Sequence, residues 1–177
     1  GQGDENEGAV LSLGEVQVLA ESSQSLANLA LTGVATQSTT NGVFTASRGN
    51  DGSLTNFTHT LGTDPNPTWS VNLGGTFELD NIVIRNRGDG CCQSRLRDIR
   101  VTIRNAADTA DVFVSELLNP ENILGNKTLN GPATLSLDLV DLTGGRVSGG
   151  IVRITRVPDP DLSGTTGQGN ADEASVL

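Results

Sequence analysis

Short runs in which Val, Ile, Leu and Thr alternate with polar residues recur along the chain, and a cluster of Gly, Asn, Asp or Pro ends each of them. The runs cover residues 11–19, 26–38, 68–74, 79–87, 97–105, 111–117, 134–139 and 149–157. Turn-forming clusters separate them, among them LGTDPNP at 61–67, LNGP at 129–132 and TGG at 143–145. Strands of this length at this spacing predict an all-β sandwich. No amphipathic helix longer than about three turns is expected.

The 177 residues fit one domain, and 35% apolar content can fill a core, so neither a disulfide mini-scaffold nor a disordered chain is expected. With one Trp, four Phe and neither Tyr nor Met, that core is aliphatic, packed around Trp69, Phe44, Phe57, Phe77 and Phe113. Eleven basic against 21 acidic side chains leave a formal charge of −10. Nucleic acid is therefore not expected as a partner, because phosphate binding needs a concentration of Lys and Arg. No apolar stretch approaches about 18 residues, so no membrane insertion is expected. The opening GQGDENEG lacks a basic n-region and an apolar h-region, so an export signal is expected to be removed or to belong to a longer precursor.

The two ends repeat each other. GQGDENEGAVL at 1–11 and GQGNADEASVL at 167–177 are identical at six of eleven positions, at an offset of 166 residues. The repeat predicts that the chain is cut from, or is one subunit of, an array of similar units.

His59 is the one histidine, and no GxSxG elbow is present, so neither a catalytic triad nor a tetrahedral zinc site is expected. The loop around it, NDGSLTNFTHT at 50–60, gathers Asp51, Asn56 and a permissive Gly52. Hard oxygen ligands on a tight turn suit calcium, with Glu15 a candidate from another segment; a plain Asx-rich turn is the alternative.

In RNRGDGCCQSRLRDIRV at 85–101, Arg87 and Arg95 bracket Asp89 and the adjacent Cys91 and Cys92. Guanidiniums oriented by a carboxylate suit the oxygens of a sugar, whereas a surface Arg–Asp pair would contribute little; the RGD triplet is too short to indicate adhesion. Disulfides favour Cα separations of about 4.4–6.8 Å, but adjacent residues lie about 3.8 Å apart. The two thiols therefore close a strained ring in an oxidising compartment, stay free, or bond between molecules.

Taken together, NLALTGVATQS (28–38), DGSLTNFTHT, WSVNLG, NRGDGCCQSRL and GGIVRITR make the chain resemble F-type lectins, the fucolectin branch of the discoidin-like β-sandwich modules. The resemblance implies a jelly-roll β-sandwich with a structural Ca2+ and a shallow site for a fucose-like sugar. It implies that His59, Arg87, Asp89 and Arg95 bind the sugar, with Cys91 and Cys92 forming a vicinal disulfide beside it. The family motif places four residues between the Asp and the last basic residue; here there are five, Gly90 being the extra one. For calcium, the resemblance implies Arg48 and Ser53 through their carbonyls, Asp51 and Asn56, and a closing strand of the form C-E-V-x-V. That strand is written here as Gly14-Glu15-Val16-Gln17-Val18, at the start of the chain rather than its end.

Residues 1–25 are thus read as the strand and linker that complete a lectin-like domain, and 26–177 as the sandwich itself. Strand 11–18 closes the domain of a neighbouring unit, by covalent continuation or strand exchange, or folds back on its own. The expected function is a calcium-stabilised, non-catalytic glycan-binding module on an extracellular, bacterial surface. The alternative is a structural unit of a fibre or adhesin whose partners are neighbouring similar units.

Overall fold

The computed structural model describes residues 10–22, 25–90, 92–125 and 130–157. Among the described residues, nine strands form two antiparallel sheets. One holds β1 (Glu15–Ser22), β2 (Ser25–Asn28), β5 (Asn81–Arg85) and β8 (Thr134–Asp138) in the order β2-β1-β5-β8. The other holds β3 (Val34–Gln37), β4 (Thr68–Leu79), β6 (Ile99–Arg104), β7 (Asp111–Val114) and β9 (Val147–Arg156) in the order β3-β4-β9-β6-β7. The expected β-sandwich is present. One five-residue helix, α1 (Leu139–Thr143), follows β8. Among the described residues no helix is long and apolar enough to cross a membrane.

Alternation builds the core. Along β5, Ile82 and Ile84 point inward between half-buried Asn81, Val83 and Arg85, and in β1 Val16 and Val18 do the same. They meet Trp69 and Val71 of β4, Ile99, Val101 and Ile103 of β6, and Val152 and Ile154 of β9. Trp69 is completely buried and satisfies its indole N–H on the Ala46 carbonyl at 2.8 Å. Phe57 is buried as expected, whereas Phe44, Phe77 and Phe113 are only half-buried.

Three strand expectations need correction. Run 26–38 is two strands, because Asn28 Oδ1 accepts from Ala30 N and caps a 3-10 turn over Leu29–Thr32. Gly33, after that turn, lies so close to β4 that a Cβ there would stand 2.4 Å from Val71 Cγ2. Run 68–74 continues to Leu79, its pairing with β9 shifting register between Asn72 and Phe77, where Gly74 takes φ +82°. Run 11–19 starts its sheet pairing only at Glu15.

β1 lies in the middle of its own chain's sheet, pairing Glu15–Leu19 with Arg85–Asn81 of β5 on one side and Leu19–Ser22 with Asn28–Ser25 on the other. It thus folds back on its own domain, and its hairpin with β2 spans the boundary expected at residue 25. The duplicated segments at 1–9 and 167–177 lie outside the described residues.

Candidate functional site

Strand β5 delivers the chain to the Arg-rich loop, and Asn86 fixes how it leaves the sheet. The Asn86 amide donates to the carbonyls of Gln93 at 2.7 Å and Pro132 at 2.9 Å, while its Oδ1 accepts from Arg87 N at 2.9 Å. Arg87, 7% exposed, donates from Nε and Nη2 to the two oxygens of Asp89 at 2.8 and 2.6 Å, a bidentate fork. Its guanidinium carbon sits 3.7 Å from the centroid of the Phe57 ring, and Nη1 reaches Ser12 Oγ at 3.4 Å. These contacts use three of the five guanidinium N–H groups, which leaves one on each terminal nitrogen for a ligand.

The extra residue of the motif is absorbed in the turn. Gly90 adopts φ +77° and Cys92 φ +59°, after which a 3-10 turn over Gln93–Arg95 carries Arg95 inward. Arg95, 6% exposed, brings Nη1 to 3.1 Å from His59 Nε2. Five intervening residues therefore still bring Arg95 to the histidine. Burial pulls the Arg95 guanidinium down to about 10, so it remains charged at neutral pH. Cys91 lies outside the described residues, and the pairing expected of it does too.

A buried ion cluster behind this turn was not anticipated. Arg156 Nη1 donates to the Arg95 carbonyl at 3.1 Å, while Asp98 Oδ2 lies 3.0 Å from Arg97 Nε and 3.3 Å from Arg156 Nη2. Asp98 Oδ1 also accepts from Glu121 N at 2.8 Å. All three charged residues are almost completely buried. In the sequence, Arg156 falls on the period-2 face of Val152 and Ile154, so alternation turns it toward the core, but nothing local tells which groups it meets there.

The His59 ring completes the cluster. Its Nδ1 lies 2.6 Å from the Thr60 carbonyl, which assigns the proton to Nδ1 and leaves Nε2 as acceptor for Arg95. Burial pulls the imidazole below its ordinary 6.5; the Thr60 carbonyl acts the other way, and the charge of Arg87 adds to the lowering. A base depressed in the folded state contributes stability above its unfolded value that is lost as pH falls through the folded one. Ligand affinity should thus hold from pH 8 down to about 6.5 and decline only in more acid solution, where the ring nitrogen that accepts becomes protonated. An NMR titration that placed His59 above 6.5 would contradict this assignment. Phe44 stacks on Phe57 with centroids 4.6 Å apart and leans on the His59 ring at 5.9 Å, so an aromatic pair underlies both His59 and Arg87.

The oxygen-rich loop lies at the other end of Phe57. Glu15 is 1% exposed; its Oε1 accepts from Gly52 N at 3.2 Å, and Oε2 is buried with no partner. Asp51 accepts from Ser53 N at 2.9 Å and from Asn56 Nδ2 at 2.7 Å, leaving Asn56 Oδ1 buried and unpartnered. Burial pushes the Glu15 carboxyl up to about 7; the Gly52 amide lowers it, Asp51 raises it further, and Arg85 lowers it. An orphaned oxygen of the Glu15 carboxylate and an orphaned amide oxygen of Asn56, with the Asp51 carboxylate in the same loop, fit a hard divalent cation better than they fit a closed Asx turn. Among the described residues no three His, Cys, Asp or Glu side chains converge, so such a cation would rest on two carboxylates plus neutral oxygens.

The other expected ligands are less directly placed. Gly14 donates its N–H to the Arg85 carbonyl at 2.9 Å, and a Cβ there would stand 2.4 Å from the Asn86 carbonyl oxygen. Only glycine fits this approach between the Glu15 strand and the Arg87 loop. Arg48 turns its guanidinium over Phe44 at 5.4 Å. The Ser53 hydroxyl pairs with that of Thr55 at 3.1 Å.

Solved structures similar to the chain include carbohydrate-binding modules. A fucose binding module of Streptococcus pneumoniae superposes with a TM-score of 0.58 at 27% identity, covering 73% of this chain and 86% of that one. A fucolectin from the serum of striped bass, Morone saxatilis, gives 0.56 at 25% identity over 79% of this chain and 44% of that one. The family 32 carbohydrate-binding module of NanJ from C. perfringens, in complex with galactose, shares the fold with a TM-score of 0.57 at 17% identity, over 86% and 91% of the two chains. No curated protein sequence matches the chain. The family model described as NedA-like, galactose-binding domain matches residues 48–144, over half the length and the whole stretch from the oxygen-rich loop through Arg95, and to that family the chain belongs.

Proposed function

We propose that the chain is a calcium-stabilised carbohydrate-binding module that recognises a fucose-like sugar by binding alone, without chemistry. The observation that carries this reading is the convergence of His59, Arg95, Arg87 and Asp89. A sugar hydroxyl both donates and accepts, so it can enter between Arg95 Nη1 and His59 Nε2, accepting from the first and donating to the second. The two remaining N–H groups of Arg87 form a second donor pair for a hydroxyl and the ring oxygen, and Asp89 holds that pair in orientation. Cys91 and Cys92, paired as a vicinal disulfide, would offer an apolar ledge to the C–H face of the sugar. The calcium ligands on this reading are the carboxylates of Glu15 and Asp51, the Asn56 amide oxygen and the carbonyls of Gly14, Arg48 and Ser53. The cation neutralises a loop that continues directly into Phe57 and His59.

The resemblance to fucolectins supports an extracellular setting, on a bacterial surface. Binding of the chain to immobilised L-fucose, displaced by free L-fucose and measured with and without a chelator, tests the reading. Absence of binding to both L-fucose and D-galactose at millimolar concentration would refute it.

A second reading, a building block of an extracellular fibre or adhesin, draws on the duplicated eleven residues at 1–11 and 167–177. The place of β1 inside its own sheet supports units joined through continuous chain rather than by exchange of that strand. Sugar binding and such an array are compatible.

A further inference from the structure

Residues 10–13 precede the first strand and lie outside the stretch that matches the family, yet they are buried to the last side chain. Val10, Leu11, Ser12 and Leu13 are each at most 1% exposed. Their polar groups go to the two residues that flank His59. Thr60 N donates to the Leu11 carbonyl at 3.1 Å, and Leu11 N donates to Thr60 Oγ1 at 3.0 Å. Thr58 N donates to the Leu13 carbonyl at 2.8 Å, and Leu13 N donates to Thr58 Oγ1 at 3.2 Å. On the opposite side, His59 N donates to the Phe44 carbonyl at 3.2 Å and its carbonyl accepts from Asn41 N at 2.9 Å. The histidine-bearing segment is thus gripped between residues 41–44 and residues 10–13.

Ser12 joins this grip to the arginine. Its hydroxyl donates to the Thr58 carbonyl at 3.1 Å and accepts from Arg87 Nη1 at 3.4 Å. One small side chain therefore touches both the backbone before His59 and the guanidinium that Asp89 and Phe57 hold from their own sides.

We infer that the buried strap of residues 10–13 is part of the binding site and that Ser12 is a positioning residue, setting His59 and Arg87 relative to each other for the sugar. The inference rests on the reading of these residues as a sugar site. Alanine at position 12 removes the acceptor of Arg87 and the donor to Thr58 while leaving the strap's backbone bonds to Thr58 and Thr60 in place. Ser12→Ala in the full chain is expected to weaken binding to immobilised L-fucose about five- to tenfold, and Ser12→Thr, which keeps the hydroxyl, to restore it. The same change should speed hydrogen exchange of the Arg87 guanidinium, followed by 15N NMR without sugar. If Ser12→Ala fails to fold, Thr60→Val, which removes the acceptor of Leu11 N and so loosens the strap beside His59, takes its place and is expected to weaken L-fucose binding by a similar factor.

Where the parent protein binds fucose, an affinity within twofold of the parent's in the variant overturns the inference. A parent that binds no fucose instead sinks the reading of the site, and unchanged Arg87 exchange in the variant then sinks the strap as well.

Discussion

Arg87→Ala is expected to lower affinity for L-fucose about a hundredfold or more, with Arg87→Lys recovering little of it. Two charge-assisted hydrogen bonds, at about 1.5–3 kcal/mol each, are lost with the guanidinium, and each 1.4 kcal/mol is tenfold in affinity. Lysine keeps the charge but is a point donor: it cannot hold the Asp89 fork and present a parallel pair of N–H groups together. The fold should survive, because Asp89 is 35% exposed and water can take over the freed carboxylate. Calorimetric titration of both variants checks this, and an Arg87→Lys protein binding as tightly as the parent would show that charge rather than the fork governs recognition.

Calcium is expected to raise the melting temperature by about 5–11 °C once it exceeds its dissociation constant a hundredfold, because a ligand specific for the folded state then contributes about 2.7 kcal/mol, at about 2–4 °C per kcal/mol. Glu15→Gln should abolish this response. It should also leave the calcium-free domain at least as stable as the parent, since it removes a charge whose burial is already unfavourable and which pushes the Glu15 carboxyl up to about 7. The two effects have opposite signs, which separates a cation site from a purely structural carboxyl. Scanning calorimetry of parent and variant in calcium and in chelator measures both. Identical melting temperatures of the parent in the two solutions would remove the cation from the account.

Much of this was legible in the sequence, for reasons that lie in periodicity. Strands that are buried on one face write themselves as alternation, and β5, β6 and β8 fall inside their expected runs. The splitting of 26–38 was not legible, because the turn at Leu29–Thr32 depends on Asn28 accepting hydrogen bonds from both Ala30 N and Val18 N, the second a contact with another strand. At the site, the motif residues announced themselves through residue type, and the turn at Gly90 and Cys92 brings Arg95 to His59 despite the added residue. The supports beneath them did not. Ser12, Phe57 and Arg156 are ordinary residues in ordinary runs, and their roles arise only from what the fold sets beside them: the edge of the Arg87 guanidinium, the face of that same guanidinium and a carbonyl at the end of a turn. Sequence patterns report which face a side chain takes, not which remote group it meets there.

A crystal structure of the chain grown in calcium and soaked in L-fucose tests the central claim most directly. The account predicts one sugar with a hydroxyl lodged between Arg95 and His59 and further oxygens on the terminal nitrogens of Arg87. A sugar seated elsewhere on the domain, with the Arg95–His59 contact undisturbed at saturating fucose, would contradict it.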